Sequence, residues 1–192
     1  MRELRLHGRG GQGTVIASKL LAVALFLEGR EVQSFPMFGV ERRGSPVTAF
    51  LRVADEPLKL RCEIQHPDEL IVLDPSLIGS TDITAGLKPG GRILINTDQA
   101  PEDFPALLDR AHVSTIDATG IAVRHGLGGK AQPIVNTAIL GAYAADTGLI
   151  TEASMIDAIR EEVPVQIDAN IAAAREAMAA VRHASMREVA RA

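Results

Sequence analysis

The sequence predicts an α/β domain, doubly wound. Three observations carry the prediction. Strand-like and helical apolar runs alternate along the chain. A continuous apolar run, Leu70-Ile71-Val72-Leu73, stops at Asp74-Pro75 in the manner of a buried parallel strand. A glycine-rich turn joins the first strand to the first helix. At 192 residues, 46% of them apolar, the chain has the size of one domain with a proper core. No repeat, low-complexity segment or linker divides it, so residues 1–192 read as a single domain.

The first strand, Glu3–Leu6, puts Leu4 and Leu6 on one face. Gly8-Arg9-Gly10-Gly11-Gln12-Gly13 follows, and the apolar stretch Val15–Leu27 forms the first helix. Strand, glycine turn, helix is the arrangement that aims backbone N–H groups at an anion at a helix N-terminus. A residue without a Cβ lets phosphate oxygens approach the main chain closely. The same turn also serves as a tight connection with no ligand. Arg9 and Gln12 stand at spacer positions and add donors suited to phosphate or amide groups. Gly8, Gly10 and Gly13 satisfy the glycine spacing of dinucleotide sites, but those sites need a carboxylate ending the second strand, roughly 20 residues on, to hold a ribose hydroxyl. The second strand, Glu31–Phe35, has its carboxylate at the wrong end and closes on Ser34-Phe35-Pro36, which disfavours NAD.

A long stretch, Phe35 to Pro46, lies between the second and third strands, where crossover helices usually run. Its two prolines and two glycines forbid a regular helix. It carries Met37 and Phe38 for docking and the Glu41-Arg42-Arg43 triplet, whose guanidinium forks suit phosphate or carboxylate. A solvated loop with an internal Glu–Arg pair is the plain alternative. Strands Val47–Val53, Leu70–Leu73, Arg92–Asn96 and Val113–Asp117 follow. Helices then run over Asn136–Asp146, Glu152–Glu162 and about Ile167 to His183. In the last, Ile167, Ile171, Ala174, Met178 and Val181 form one apolar stripe. The sum is a mostly parallel, Rossmann-like sheet with extra C-terminal helices.

Composition removes several function classes. There is no Trp, one Tyr and five Phe, too few aromatic platforms for base stacking, and the net charge of −4 removes the basis for nonspecific nucleic-acid binding. The single cysteine, Cys62, cannot form an internal disulfide or alone hold zinc or an iron–sulfur cluster; it reads as a small buried or half-buried thiol. No leader pattern and no bilayer-spanning run is evident, so a cytoplasmic protein with no membrane contact is expected. No nucleophile–base pair is evident and no catalytic residue is assigned. His7, beside the glycine turn, reads as a packing or hydrogen-bonding residue. The Arg124–Lys130 loop, with His125, reads as a flexible turn or an anion acceptor.

The glycine turn, followed by Phe35-Pro36 and then by Gly39-Val40-Glu41-Arg42-Arg43-Gly44-Ser45-Pro46-Val47, closely resembles the gamma subunit of the 2-oxoacid:ferredoxin oxidoreductases. Asp117-Ala118-Thr119, Asn136 to Ala142 and Asn170 to Ala174 are similar to later motifs of that family, so the resemblance spans essentially the full chain. It implies a subunit of a complex that decarboxylates a 2-oxoacid oxidatively, captures the acyl group on coenzyme A and passes electrons to ferredoxin or another acceptor. It implies that thiamine diphosphate, Mg²⁺ and iron–sulfur clusters reside on alpha, beta and delta partners, and that this chain is inactive alone. The positions expected to contact coenzyme A are Gly8, Arg9, Gly10, Gly11, Gln12, Gly13, Phe38, Gly39, Glu41, Arg42, Arg43 and Asn136. Two alternatives stand beside this: an assembly or regulatory module without ligand, and a stand-alone nucleotide-dependent oxidoreductase.

Overall fold

The structure, a computed structural model, describes residues 1–37, 44–60, 62–129 and 132–187. The first half of the chain contributes β1 (Arg2–Arg9), α1 (Thr14–Leu27), β2 (Glu31–Pro36), β3 (Pro46–Ala54), β4 (Glu69–Val72) and β5 (Gly91–Asn96). Next come α2 (Pro105–Leu108), β6 (Ala111–Ile116), α3 (Ala118–Arg124) and the two-residue strands β7 (Gly128–Gly129) and β8 (Gln132–Pro133). The chain closes with α4 (Asn136–Thr147), α5 (Glu152–Glu162), α6 (Ile167–Ala180) and β9 (Arg182–Ala184).

The main sheet has the order β2-β3-β1-β4-β5-β6-β9. Its centre is parallel: Leu6 lies opposite Ile71, Ile71 opposite Leu94 and Leu94 opposite Ser114. These strands are buried on both faces, hence their continuous apolar runs. β3 is antiparallel to both β1 and β2, and β9 is antiparallel to β6. β2 and β3 are direct antiparallel neighbours. Antiparallel neighbours do not need the crossover helix that parallel ones do.

The two faces of the sheet are covered unequally. Leu4, Leu6, Leu51, Ile71 and Leu94 pack in one cluster with residues of α1, α3, α4, α5 and α6. On the other face Leu70, Val72, Ile93 and Val113 meet Leu77 and Ile83 of the turns after β4, and Leu107 and Leu108 of α2. Within the helical layer α4 and α6 approach at backbone distance. A Cβ on Gly141 would sit 2.0 Å from the Ala174 carbonyl oxygen, and Thr137 donates to Asn170 Oδ1 at 3.0 Å. The stretches Asn136–Ala142 and Asn170–Ala174, separate in sequence, are two sides of one helix contact.

Two expectations are corrected. The last helix stops at Ala180 rather than reaching His183. Val181 turns to an extended conformation (ψ 134°), and Arg182–Ala184 add an edge strand to β6. The stripe itself faces inward, with Ile171 and Ala174 buried and Ile167, Met178 and Val181 packed against the same core. Cys62 is exposed, not buried. Its carbonyl turns inward to accept from Arg52 Nη2 at 2.7 Å, which leaves the thiol at the surface.

At the amino ends of the parallel strands a polar group is sealed in. Glu69 accepts from Tyr143 Oη at 2.9 Å and pairs with Arg2 Nη1 at 3.1 Å. Burial raises its carboxyl above the usual range, against the lowering effect of those two partners. No helix among the described residues is long and apolar enough to cross a membrane.

Candidate functional site

A cleft of about 610 Å³ opens at the carboxyl ends of the parallel strands. Arg9, Gly10, Gly11 and Gln12 wall it beyond β1, Leu73, Asp74 and Pro75 beyond β4, and Asn96 at the end of β5. Thr119 of α3, Gly44, and Gln132 to Pro133 with Val135 complete it. From β1 the chain crosses to β2 on one side of the sheet, while β4 lies on the other side of β1. Clefts at such a reversal are where open α/β sheets take their ligands.

A tight network shapes the wall. Gln12 Oε1 accepts from the Arg9 N–H at 2.8 Å, and the Gln12 N–H returns to Arg9 O at 3.0 Å, so the turn is closed from both ends. Gln12 Nε2 donates to Asp74 Oδ2 at 2.7 Å, and Arg9 Nε donates to the same oxygen at 3.2 Å. Asp74 Oδ1 accepts the Ser76 N–H at 2.9 Å and caps the short 3₁₀ turn that begins at Pro75. Arg9 also reaches Ser76 Oγ at 2.8 Å and Gly44 O at 3.2 Å. Partial burial opposes charge on Asp74, but the bonds from Ser76 and Gln12, with Arg9 alongside, outweigh it and hold the carboxyl below its ordinary range. On the floor Asn96 Nδ2 donates to Leu73 O (2.9 Å) and Thr119 Oγ1 (3.0 Å), and Asn96 Oδ1 accepts the Thr119 N–H at 3.2 Å. Asp117 caps α3 through Gly120 N–H at 2.7 Å.

The turn's glycines serve two different ends. A Cβ on Gly8 would lie 2.2 Å from Thr14 Oγ1, and one on Gly13 would lie 2.6 Å from Asn136 Oδ1 at a φ of +79°. Those two are required by the fold itself. Gly10 and Gly11 are the pair that lines the cleft, Gly11 at φ +94°. The Gly10 N–H is taken by Ser45 O at 2.9 Å, whereas the Gly11 N–H has no acceptor among the described residues. No side chain caps α1, and its first turn holds no carboxylate, so its N-terminal N–H groups keep their attraction for an anion.

Of the residues expected from sequence, Arg9, Gly10, Gly11 and Gln12 thus come together at the cleft. Gly8, Gly13 and Asn136 stand just behind it. Asn136 is buried, and its Oδ1 has no partner among the described residues. Phe38, Gly39, Glu41, Arg42 and Arg43 lie outside the described residues. The segment after them returns to the turn, where the Gly44 N–H donates to Gly10 O at 3.1 Å. Sequence reasoning missed Asp74, Ser76, Asn96 and Thr119. Asp74-Pro75 marks the end of a strand in the sequence, and a carboxylate at the carboxyl end of a central parallel strand is itself a site signal.

The remaining candidates resolve simply. His7 is buried, its Nε2 has no partner among the described residues, and burial, helped by nearby Arg5, depresses its pKa to about 4. Arg124 and His125 both engage Glu176, each at 2.6 Å; Lys130 lies outside the described residues. The dinucleotide reading loses further ground, because β3 intervenes between β1 and β2 and the end of β2 cannot face a ligand held at the turn as it does in that fold.

The fold and cleft define a class: an α/β domain presenting a glycine turn, a helix N-terminus and an arginine at the carboxyl end of its sheet. The chain belongs to the pyruvate ferredoxin/flavodoxin oxidoreductase family, whose model matches residues 3–180. Within it the chain groups with the gamma subunits. It is 48% identical over 181 residues to the common gamma subunit of the pyruvate/ketoisovalerate oxidoreductases of Thermococcus litoralis, covering 92% of this chain and 95% of that one. The crystal structure of pyruvate oxidoreductase subunit PORC from Thermotoga maritima superposes with a TM-score of 0.81 at 33% identity, covering 96% and 98% of the two chains. A 2-oxoglutarate:ferredoxin oxidoreductase from Magnetococcus marinus, solved with 2-oxoglutarate, coenzyme A and succinyl-CoA bound, shares the fold at a TM-score of 0.71 and 20% identity, over 93% of this chain and 30% of that one.

Proposed function

We propose that this chain is the coenzyme A-contacting gamma subunit of a 2-oxoacid:acceptor oxidoreductase complex. The observation that carries the reading is the cleft: Gly10, Gly11 and Arg9 line one opening at the carboxyl ends of the strands, in the turn that leads into α1, a helix with no side-chain cap at its start. A pyrophosphate is the chemistry that such donors suit, through backbone N–H groups and a fork-shaped cation. The fold shared with an enzyme solved with coenzyme A agrees with this. Thiamine diphosphate with its Mg²⁺ and the iron–sulfur clusters belong to alpha, beta and delta partners. One cysteine gives this chain no thiolate set for a cluster. The partners supply decarboxylation and electron transfer to ferredoxin or another acceptor. This chain binds and orients the acyl acceptor and takes part in assembly.

The test uses the assembled complex. Gly11→Val places a branched side chain at the cleft wall on a backbone of positive φ. The apparent KM for coenzyme A should rise about tenfold, while the KM for the 2-oxoacid stays within about twofold, the loss of roughly 1.4 kcal/mol of binding. An assembled variant with an unchanged KM for coenzyme A contradicts the reading.

A further inference from the structure

Asp74 is the one carboxylate among the described residues lining a cleft that is otherwise suited to an anion. A negative charge there opposes phosphate directly, so its presence calls for a reason. The hydrogen bonds supply one. Asp74 Oδ2 can only accept, and it faces Gln12 Nε2 at 2.7 Å. That fixes the Gln12 amide with its nitrogen toward Asp74 and its oxygen toward the Arg9 N–H. The same oxygen holds Arg9 Nε, which points the remaining guanidinium nitrogens toward Ser76 and Gly44 at the cleft wall. Both donors named from sequence as ligand groups are therefore held by Asp74, and Gln12 has both ends of its amide engaged within the protein.

Resting on the coenzyme A reading, we propose that Asp74 is a positioning residue: it holds Gln12 and Arg9 so that residues 9–12 keep the shape that presents the Gly11 N–H and the start of α1 to the ligand's phosphates. Gln12 acts as the latch of the turn and not as a ligand donor. Asp74 itself touches no ligand. Its charge is matched by Arg9 and two further hydrogen-bond donors, Gln12 Nε2 and the Ser76 N–H, so the turn is ordered before the anion arrives. The depressed pKa of Asp74 agrees with a carboxylate that stays ionised for this work.

The prediction separates a latch from two independent contacts. In the assembled complex Asp74→Asn keeps an oxygen for the Ser76 cap and removes the charge that orders Gln12 and Arg9. It should raise the apparent KM for coenzyme A about fivefold or more, the scale of a charge-assisted hydrogen bond. At saturating coenzyme A, kcat should stay within about twofold, and so should the KM for the 2-oxoacid. Gln12→Ala should do the same, and the double variant should be no worse than the poorer single one, because both break one unit. Asp74→Ser, which keeps a capping oxygen with less bulk, provides the same reading if the asparagine variant fails to assemble. An unchanged KM in either Asp74 variant overturns the proposal, and so do effects of Asp74 and Gln12 that multiply in the double variant. If Gly11→Val raises the KM and the Asp74 variants do not, the cleft reading stands and the positioning role falls. If Gly11→Val also leaves the KM unchanged, both fall.

Discussion

At the carboxyl ends of the parallel strands Asp74, just past β4, faces an open cleft; at the amino ends Glu69, which begins the same strand, is sealed against Tyr143 of α4. Both carboxylates meet an arginine and a neutral donor: Arg9 and Gln12 in one case, Arg2 and Tyr143 in the other. Their environments set them apart. Asp74, held by Ser76, Gln12 and Arg9, is kept below its ordinary range, while burial lifts Glu69 above its own. The similar contacts therefore do different work. The Asp74 group stands beside the Gly11 N–H, which has no acceptor among the described residues. The Glu69 group has its oxygens occupied from inside the chain and serves to join β4 to α4.

Acid titration of the purified chain should show the largest effect, and it comes from a third buried group. His7 stays neutral when folded down to pH about 4 but takes a proton at its ordinary 6.5 when unfolded. Below pH 6.5 the unfolded state therefore binds the extra proton, and stability falls as pH drops from about 6.5 to about 4, by about 3 kcal/mol in all. His7→Gln, neutral throughout, should lose that dependence; an equally steep acid loss in the variant would contradict it. The two carboxylates then act with opposite signs. Asp74 contributes stability above its ordinary 3.8 that is lost as pH falls through its lower folded value. Glu69 favours folding below its ordinary 4.5, an advantage lost as pH rises through its higher folded value.

Tyr143→Phe sharpens the comparison from the sealed side. It leaves a buried Glu69 oxygen without its donor and should cost about 2 kcal/mol in chemical denaturation. The KM for coenzyme A in the assembled complex should not move. A rise of more than about twofold there would mean the two ends of the sheet are coupled, and the division between them would fail.

How far the sequence reveals these two regions depends on range. The glycine turn, α1 and the apolar strands were legible because each rests on neighbours in sequence: periodicity, missing Cβ atoms, a Pro stop. Asp74 and Gln12 are far apart in the chain, and only the β1–β4 pairing brings them together. The glycine spacing marks Gly8 and Gly13, but the close approach of Thr14 and Asn136, one of them distant in sequence, is a further demand for glycine that the turn alone does not reveal. The end of the last helix was misplaced because β9 is decided by a free edge of β6, which helix periodicity does not register. The Glu69–Tyr143 pair joins strand to helix across much of the chain, and nothing local marks it.

Smaller effects should come from the Glu41-Arg42-Arg43 triplet. Arg42→Ala with Arg43→Ala, in the stretch whose prolines and glycines forbid a regular helix, should leave the melting temperature of the purified chain within about a degree or two. In the complex the pair should weaken assembly or raise the demand for coenzyme A. Normal assembly and turnover at low coenzyme A would exclude a role for both.

The most direct test of the central claim is amide hydrogen exchange on the assembled complex with and without coenzyme A. Protection should increase over residues 8–16 and 73–77, the turn, the start of α1 and the segment after β4. Peptides holding Glu69 and Tyr143, at the sealed end, should be unchanged. Protection confined to partner subunits, with residues 8–16 exchanging as before, would contradict the assignment of the cleft to coenzyme A.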